Sequence, residues 1–275
     1  MGVKRIFALL ALAMGIGLMG YAHVHLAEAK QIHHEGDAVY SDLSTRVKEH
    51  TDAAAPAISA GDYEKTDAAQ GQTTVNEGQA AAQEKDYIPA ISINFNILET
   101  INKDAVAWLY SPDTVIDYPV LKADDYAYYL NHLPDGTLNA NGSLFIDFNN
   151  APDFSETLTV IYGHNMRSKM MFGSLAEYKN QSYYNEHPFM YLYTKEVNYR
   201  IELLYGCVIG AGVWRERSFM YKENVGSLLA YAERNTTFES CAEYAEGDRI
   251  IAMSTCSYEF EGARYVVIGK VSEVR

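Results

Sequence analysis

Large aromatic side chains are confined almost entirely to one part of the chain, and this decides where a core can form. Of the 22 tyrosines 19 follow residue 86, together with nine of the ten phenylalanines and both tryptophans. Residues 27–86 hold only Tyr40 and Tyr63 as aromatics, in a stretch rich in Ala, Gly, Gln and Thr that includes TDAAAPAISAGDYEKTDAAQGQTTVNEGQAAAQEK. Such a segment buries too little apolar surface to offset its ordering entropy. Residues 27–86 are therefore expected to form an acidic spacer, disordered or partly helical, with DAVYSDLSTRVKEH as its helical candidate. Ahead of it, MGVKR leads into the apolar run IFALLALAMGIGLMGYAHV, and no charge follows Arg5 until Glu28. A bilayer is spanned by about 17–25 such residues, and basic residues before a span stay on the cytoplasmic side. Residues 1–26 are expected to be a membrane anchor or a signal segment, the uncleaved anchor being favoured over a cleaved signal peptide because Ala27-Glu28-Ala29 lies farther from the apolar run than a peptidase usually works. The C-terminal bulk then faces away from the cytoplasm.

Residues 87–275 carry the core and read as mainly β. Stretches rich in Val, Ile, Tyr and Phe occur at 105–110, 114–121, 143–148, 158–164, 190–194, 197–209, 249–256 and 264–274, and strands at this spacing suit a closed barrel or a sandwich. Helical patterns fall at 97–102, 124–130, 171–178 and 223–234. The net charge is -14, from 22 basic and 36 acidic residues, which argues against the basic surface needed to bind nucleic acid. Half of that acidity, from 5 basic and 12 acidic residues, belongs to 27–86 and says little about substrate. No Gly-rich phosphate loop and no H-E-x-x-H motif occurs. His33 and His34 beside Glu35 and Asp37 are read as solvated side chains, not metal ligands.

Three cysteines, at 207, 241 and 256, are too few for a disulfide framework and lack the paired spacing of a zinc site. Cys207 and Cys241 are expected to be buried thiols, a disulfide between them being the alternative. Cys256 is different. It ends the strand RIIAMSTC, and the next strand opens with Arg264 in ARYVVIGKV, so the two are expected to face each other across one hairpin. A guanidinium beside a thiol favours the thiolate and can hold the oxygen of a tetrahedral intermediate. A buried, unreactive cysteine near a surface arginine fits the same spacing. Among His132, His164 and His187, His164 follows the apolar strand LTVIYG and is delivered at a strand end, whereas His187 precedes Pro188 in a polar loop and His132 closes a short helix before Pro134. A strand-end His, Cys and Arg make a constellation suited to thiol-mediated acyl transfer.

These residues lie in motifs that resemble the sortases, and among them class B. The carrying motifs are YGHNM (162–166) with His164, STC (254–256) with Cys256 and ARYVV (263–267) with Arg264, supported by INKDAVAWLY (101–110), DYPVL (117–121), YYLNH (128–132) and GSLFIDFNN (142–150). The resemblance covers 87–275. It implies an eight-stranded sortase-type β-barrel with short peripheral helices and a helical insertion before the Cys-bearing strand. It also implies a cysteine transpeptidase of a Gram-positive cell surface that needs no cofactor and cleaves a sorting motif after threonine. Its partners would be sorting-motif-bearing surface proteins and an amine of the peptidoglycan cross-bridge or its lipid-linked precursor. Ser254, Thr255 and Tyr221 would contact the sorting signal, while Asp124-Asp125 stands where relatives often have asparagine. Hydrolysis by the same thiol and imidazole, as in a secreted peptidase or amidase, is the alternative reaction. An inactive surface scaffold is the non-enzymatic one, although the closing KVSEVR is unlike the tail of a sorted protein.

Overall fold

The computed structural model describes residues 3–50, 91–215 and 225–274. Helix α1 (Val3–Val47) runs into strand β1 (Lys48–His50), which pairs antiparallel with β2 (Ile91–Ile93). Helix α2 (Phe95–Ile101) follows, its first turn capped by the Asn94 side chain accepting from Ile97 N–H. Then come β3 (Ala105–Tyr110), β4 (Asp117–Lys122), β5 (Leu144–Ile146), β6 (Leu158–Tyr162), helix α3 (Gln181–Glu186), β7 (Phe189–Tyr193) and β8 (Asn198–Gly210). Helices α4 (Ala211–Arg215) and α5 (Val225–Arg234) form the insertion before β9 (Arg249–Cys256) and β10 (Ala263–Val274). Strands β3 to β10 close into an eight-stranded barrel in the order β10-β8-β7-β3-β4-β5-β6-β9, the barrel rather than the sandwich that the strand spacing also allows, and the one the sortase resemblance implies.

Two of the predicted helices are tighter than expected. Only Tyr128–Leu130 of the 124–130 pattern is helical, as one 3₁₀ turn, because Asp125 Oδ1 accepts the Ala127 and Tyr128 N–H groups and holds a competing local turn. The 171–178 pattern is a 3₁₀ run, Phe172–Lys179, entered through Met171 at φ 54°. Helices α3 and α4 are too short for a sequence period to show.

The expected spacer meets the structure only in its first part. Residues 27–47 continue α1, and its C-terminal end packs on the barrel through buried Tyr40, Leu43 and Val47, each such side chain contributing about 1.5–3 kcal/mol by leaving water. Residues 51–86 lie outside the described residues. Among the described residues no helix is long and apolar enough to cross a membrane, so the anchor expected over 1–26 rests on sequence.

Alternation along the strands sorts side chains into layers. Leu109, Val120, Ile161, Leu203, Met253 and Val267 come from six strands into one buried cluster, the barrel interior. On the outer wall of β6, β9 and β10, Leu158, Val160, Ile250, Ala252, Val266 and Ile268 pack beneath Trp214 and helix α5. The opposite outer wall is covered by α1 and α2, through Leu43, Val47, Phe95 and Leu98 against Trp108 and Leu121.

Candidate active site

The period of two that buries Ile250 and Ala252 under the insertion continues to Ser254 and Cys256 on the same outer face of β9. On β6 the sequence Leu158, Val160, Tyr162 leads to His164, and on β10 Ile268 and Val266 lead back to Arg264. Strand pairing brings these ends level. Cys256 is the Cα partner of Arg264, and the parallel pairing of Tyr162 with Ser254 sets His164 two residues on, beside Cys256. Gly163 N–H donates to the Ser254 carbonyl at 3.2 Å, and the Asn165 amide donates to the Cys256 carbonyl at 2.7 Å. A glycine is required before the histidine, since a Cβ at 163 would stand 2.4 Å from Leu144 and 2.7 Å from Phe172 side-chain atoms.

All three residues line a cleft of about 540 Å³. Its walls are Trp214 and Arg215 of the insertion on one side and Tyr126 and Leu130 of the β4–β5 connection on the other, with Tyr162 and Ser254 between. Cys256 is exposed, and His164 and Arg264 are half-buried. His164 Nε2 bonds the Leu130 carbonyl, and since a carbonyl only accepts, Nε2 carries the hydrogen. Arg264 Nη1 donates to the Ala263 carbonyl at 3.0 Å.

No family model matches the chain. It is 33% identical over 177 residues to sortase B of Listeria monocytogenes, an alignment covering 63% of this chain and 72% of that protein. The chain belongs to the sortase B family. Among solved structures, sortase B of Clostridium perfringens matches with a TM-score of 0.60 and 29% identity, covering 65% of this chain and 99% of that one. A sortase B complexed with triglycine matches with a TM-score of 0.58 and 26% identity, covering 72% and 92%. The protein is thus a class B sortase by sequence and barrel, and an enzyme of the cysteine transpeptidase type.

The remaining residues named from the sortase motifs are placed unequally. Ser254 lines the cleft with a buried hydroxyl that has no hydrogen-bond partner among the described residues, an arrangement that costs about 1–3 kcal/mol unless a ligand satisfies it. Thr255 also borders the cleft, but its hydroxyl is committed to the Gly163 carbonyl at 2.8 Å. Tyr221 lies outside the described residues. Asp125 is engaged in capping its own turn, and those two N–H bonds hold its carboxyl below the usual range. His132 stacks on Tyr128 and His187 caps α3, both away from the cleft. Cys207 is buried, and burial pushes its thiol up to about 12. Cys241 is exposed where a buried thiol was expected, because it follows α5 in a bend outside the sheet, and it is free of any disulfide.

Asp147 was not singled out from sequence. It is 2% exposed, and its Oδ2 accepts from Tyr126 and Tyr162 hydroxyls at 2.9 and 3.1 Å, while Oδ1 accepts from Asn149. Burial first, and the Asp147 carboxylate next, push both phenols up, so both remain neutral donors. This sortase thus fixes two tyrosines of the cleft on one buried carboxylate. The only hint in the sequence is a lone acid closing the apolar strand LFI.

The hairpin between Cys256 and Arg264 is held from below. Lys179 forms an ion pair with Glu259, Ser257 donates to the same carboxylate, and Lys179 Nζ sits 4.9 Å over the Tyr265 ring. Burial alone raises the Glu259 carboxyl, but the bonds from Lys179 and Ser257 outweigh it and bring it from 4.5 to about 2. Because the folded value is depressed, the clasp's stability is complete above pH 4.5 and is lost as pH falls toward 2. Glu259→Gln is expected to flatten the acid limb in that window when unfolding is followed by denaturant titration at successive pH values. Parallel acid limbs for variant and parent would refute the clasp.

Proposed function

We propose that this sortase cleaves a sorting motif near the C-terminus of a surface protein, after threonine, and joins the protein to an amine of peptidoglycan or its lipid-linked precursor. The observation that carries this reading is the delivery of Cys256, His164 and Arg264 from three neighbouring strands to one level of one cleft. The Cys256 thiolate attacks the threonine carbonyl carbon, Arg264 stabilises the oxyanion, and the C–N bond breaks to leave a thioester on sulfur. With Nε2 bound to the Leu130 carbonyl, Nδ1 of His164 is the nitrogen that takes the proton of the Cys256 thiol as the thiolate forms and then gives it to the departing amine. The incoming amine then attacks the thioester, Nδ1 takes its proton, and the thiolate leaves. No step calls for a metal or organic cofactor. Ser254, with its unpartnered hydroxyl at the cleft, is the residue best placed to bind the sorting signal. An amine acceptor agrees with the existence of a related sortase B complexed with triglycine.

We also assign residues 1–26 to a single-pass anchor in a Gram-positive cell membrane, with the barrel on the outer face and the N-terminus inside. The apolar run of the sequence continues in exposed Met14, Ile16, Leu18, Met19 and Tyr21 of α1, side chains that favour a nonpolar surrounding. The test of the reaction is mass spectrometry of a sorting-peptide library incubated with the protein and triglycine. A product carrying triglycine is expected. Cleavage with water as the sole acceptor makes the enzyme a hydrolase, and no cleavage across the library overturns the proposal.

A further inference from the structure

The Leu130 carbonyl that bonds His164 lies against a loop that helix α1 grips. Gly142, at φ 58°, lies against that carbonyl so closely that a Cβ there would stand 2.7 Å from Leu130 O and 2.9 Å from its carbon. The Gly142 carbonyl in turn accepts the hydroxyl of Tyr40, a buried residue of α1. Tyr40 also lies 3.1 Å from Ser143 Oγ, which donates to the His132 carbonyl at 2.8 Å. The same loop is gripped one and two turns earlier along α1. Asn139 donates to the Ile32 carbonyl at 2.8 Å, and buried Asn141 donates to the His33 carbonyl and Asp37 carboxylate, both at 3.1 Å, while its oxygen meets His33 Nδ1. Gly36 fits between these asparagines, where a Cβ would stand 2.3 Å from Asn141. Each of these contacts ends on a backbone carbonyl, a buried hydroxyl or a buried amide, so the loop cannot shift without breaking several at once.

We propose that Tyr40 is a positioning residue for the transpeptidation step. It acts through Gly142 and the Leu130 carbonyl to keep the hydrogen of His164 on Nε2 and the lone pair on Nδ1. This rests on the function assigned above to His164. It gives α1 a second task besides carrying the domain, since the helix that leaves the apolar segment is the one that sets the imidazole. Val24 and Ile32 are eight residues apart in one continuous helix, about 12 Å at 1.5 Å per residue, so the grip on the loop begins close to the apolar run.

Tyr40→Phe keeps the buried ring and removes only the hydroxyl. The expected result is a fall of about fivefold or more in kcat for thioacyl formation with KM for the sorting peptide unchanged, and ¹⁵N spectra of His164 changing from the Nε2–H tautomer to a mixture. A loss of packing alone would lower thermal stability and leave the imidazole spectrum untouched. An unchanged tautomer in Tyr40→Phe overturns the proposal, whatever happens to rate. The spectrum is read without substrate, so if the parent protein cleaves no sorting peptide the functional reading fails while the tautomer still decides the role of Tyr40.

Discussion

Cys256→Ala will abolish the thioacyl adduct and reduce cleavage of a sorting peptide by a factor on the order of 10⁴ or more, the scale on which removal of a nucleophile is felt. The same substitution will leave the fold intact. Cys256 is exposed at the end of β9, so losing its sulfur opens no cavity, and its contacts to Asn165 and to β10 are made by the backbone. Stability is expected to change by less than about 0.5 kcal/mol. The pair of outcomes separates chemistry from architecture: mass spectrometry of the peptide reaction reads the first and a thermal melt reads the second. Full cleavage by Cys256→Ala would mean that another group is the nucleophile. Cys207 is no substitute, because it lies in the wall beneath α5 with its thiol pushed up by burial.

The barrel was legible because most of its strands bury both faces. β9 runs from Ile250 to Thr255 with every residue buried, between the interior cluster and the insertion, and such runs show in the sequence as Val, Ile and aromatic blocks. The site was legible for a related reason. Once 249–256 and 264–274 are strands joined by a short turn, Cys256 and Arg264 must meet, and a histidine two residues beyond Tyr162 must share the outer face. Period-two reasoning from the same strand reaches Tyr162 as well. The partners that come from elsewhere gave no such signal. Leu130 is an exposed leucine in a 3₁₀ turn, Arg215 ends a helix of five residues, and both reach the cleft only through the path of their loops. Tyr40 illustrates the limit best. The stretch 27–86 around it is rich in small and polar residues, so composition assigned it to a spacer, yet one ring and one hydroxyl dock the helix there on residues more than a hundred positions away.

Arg264→Ala is expected to lower kcat/KM for the sorting peptide about a hundredfold, which is about 2.7 kcal/mol of transition-state stabilisation. Two roles for the guanidinium are compatible with its place opposite Cys256, and they predict different companions to this loss. If Arg264 holds the oxyanion, alkylation of Cys256 by iodoacetamide proceeds at the parental rate in Arg264→Ala, since that reaction develops no oxyanion. If it acts by favouring the thiolate, alkylation slows in step with peptide cleavage. The oxyanion role is the one proposed above. Arg264 is half-buried and lines the cleft, and its Nη1 donates to the Ala263 carbonyl. An ammonium reproduces the charge of the guanidinium fork but not its shape. Arg264→Lys should therefore recover little of the peptide activity, whereas a residue needed only for its charge would be largely replaced by lysine. Unchanged kcat/KM in Arg264→Ala would remove the arginine from the mechanism and leave Cys256 and His164 to act with the backbone alone.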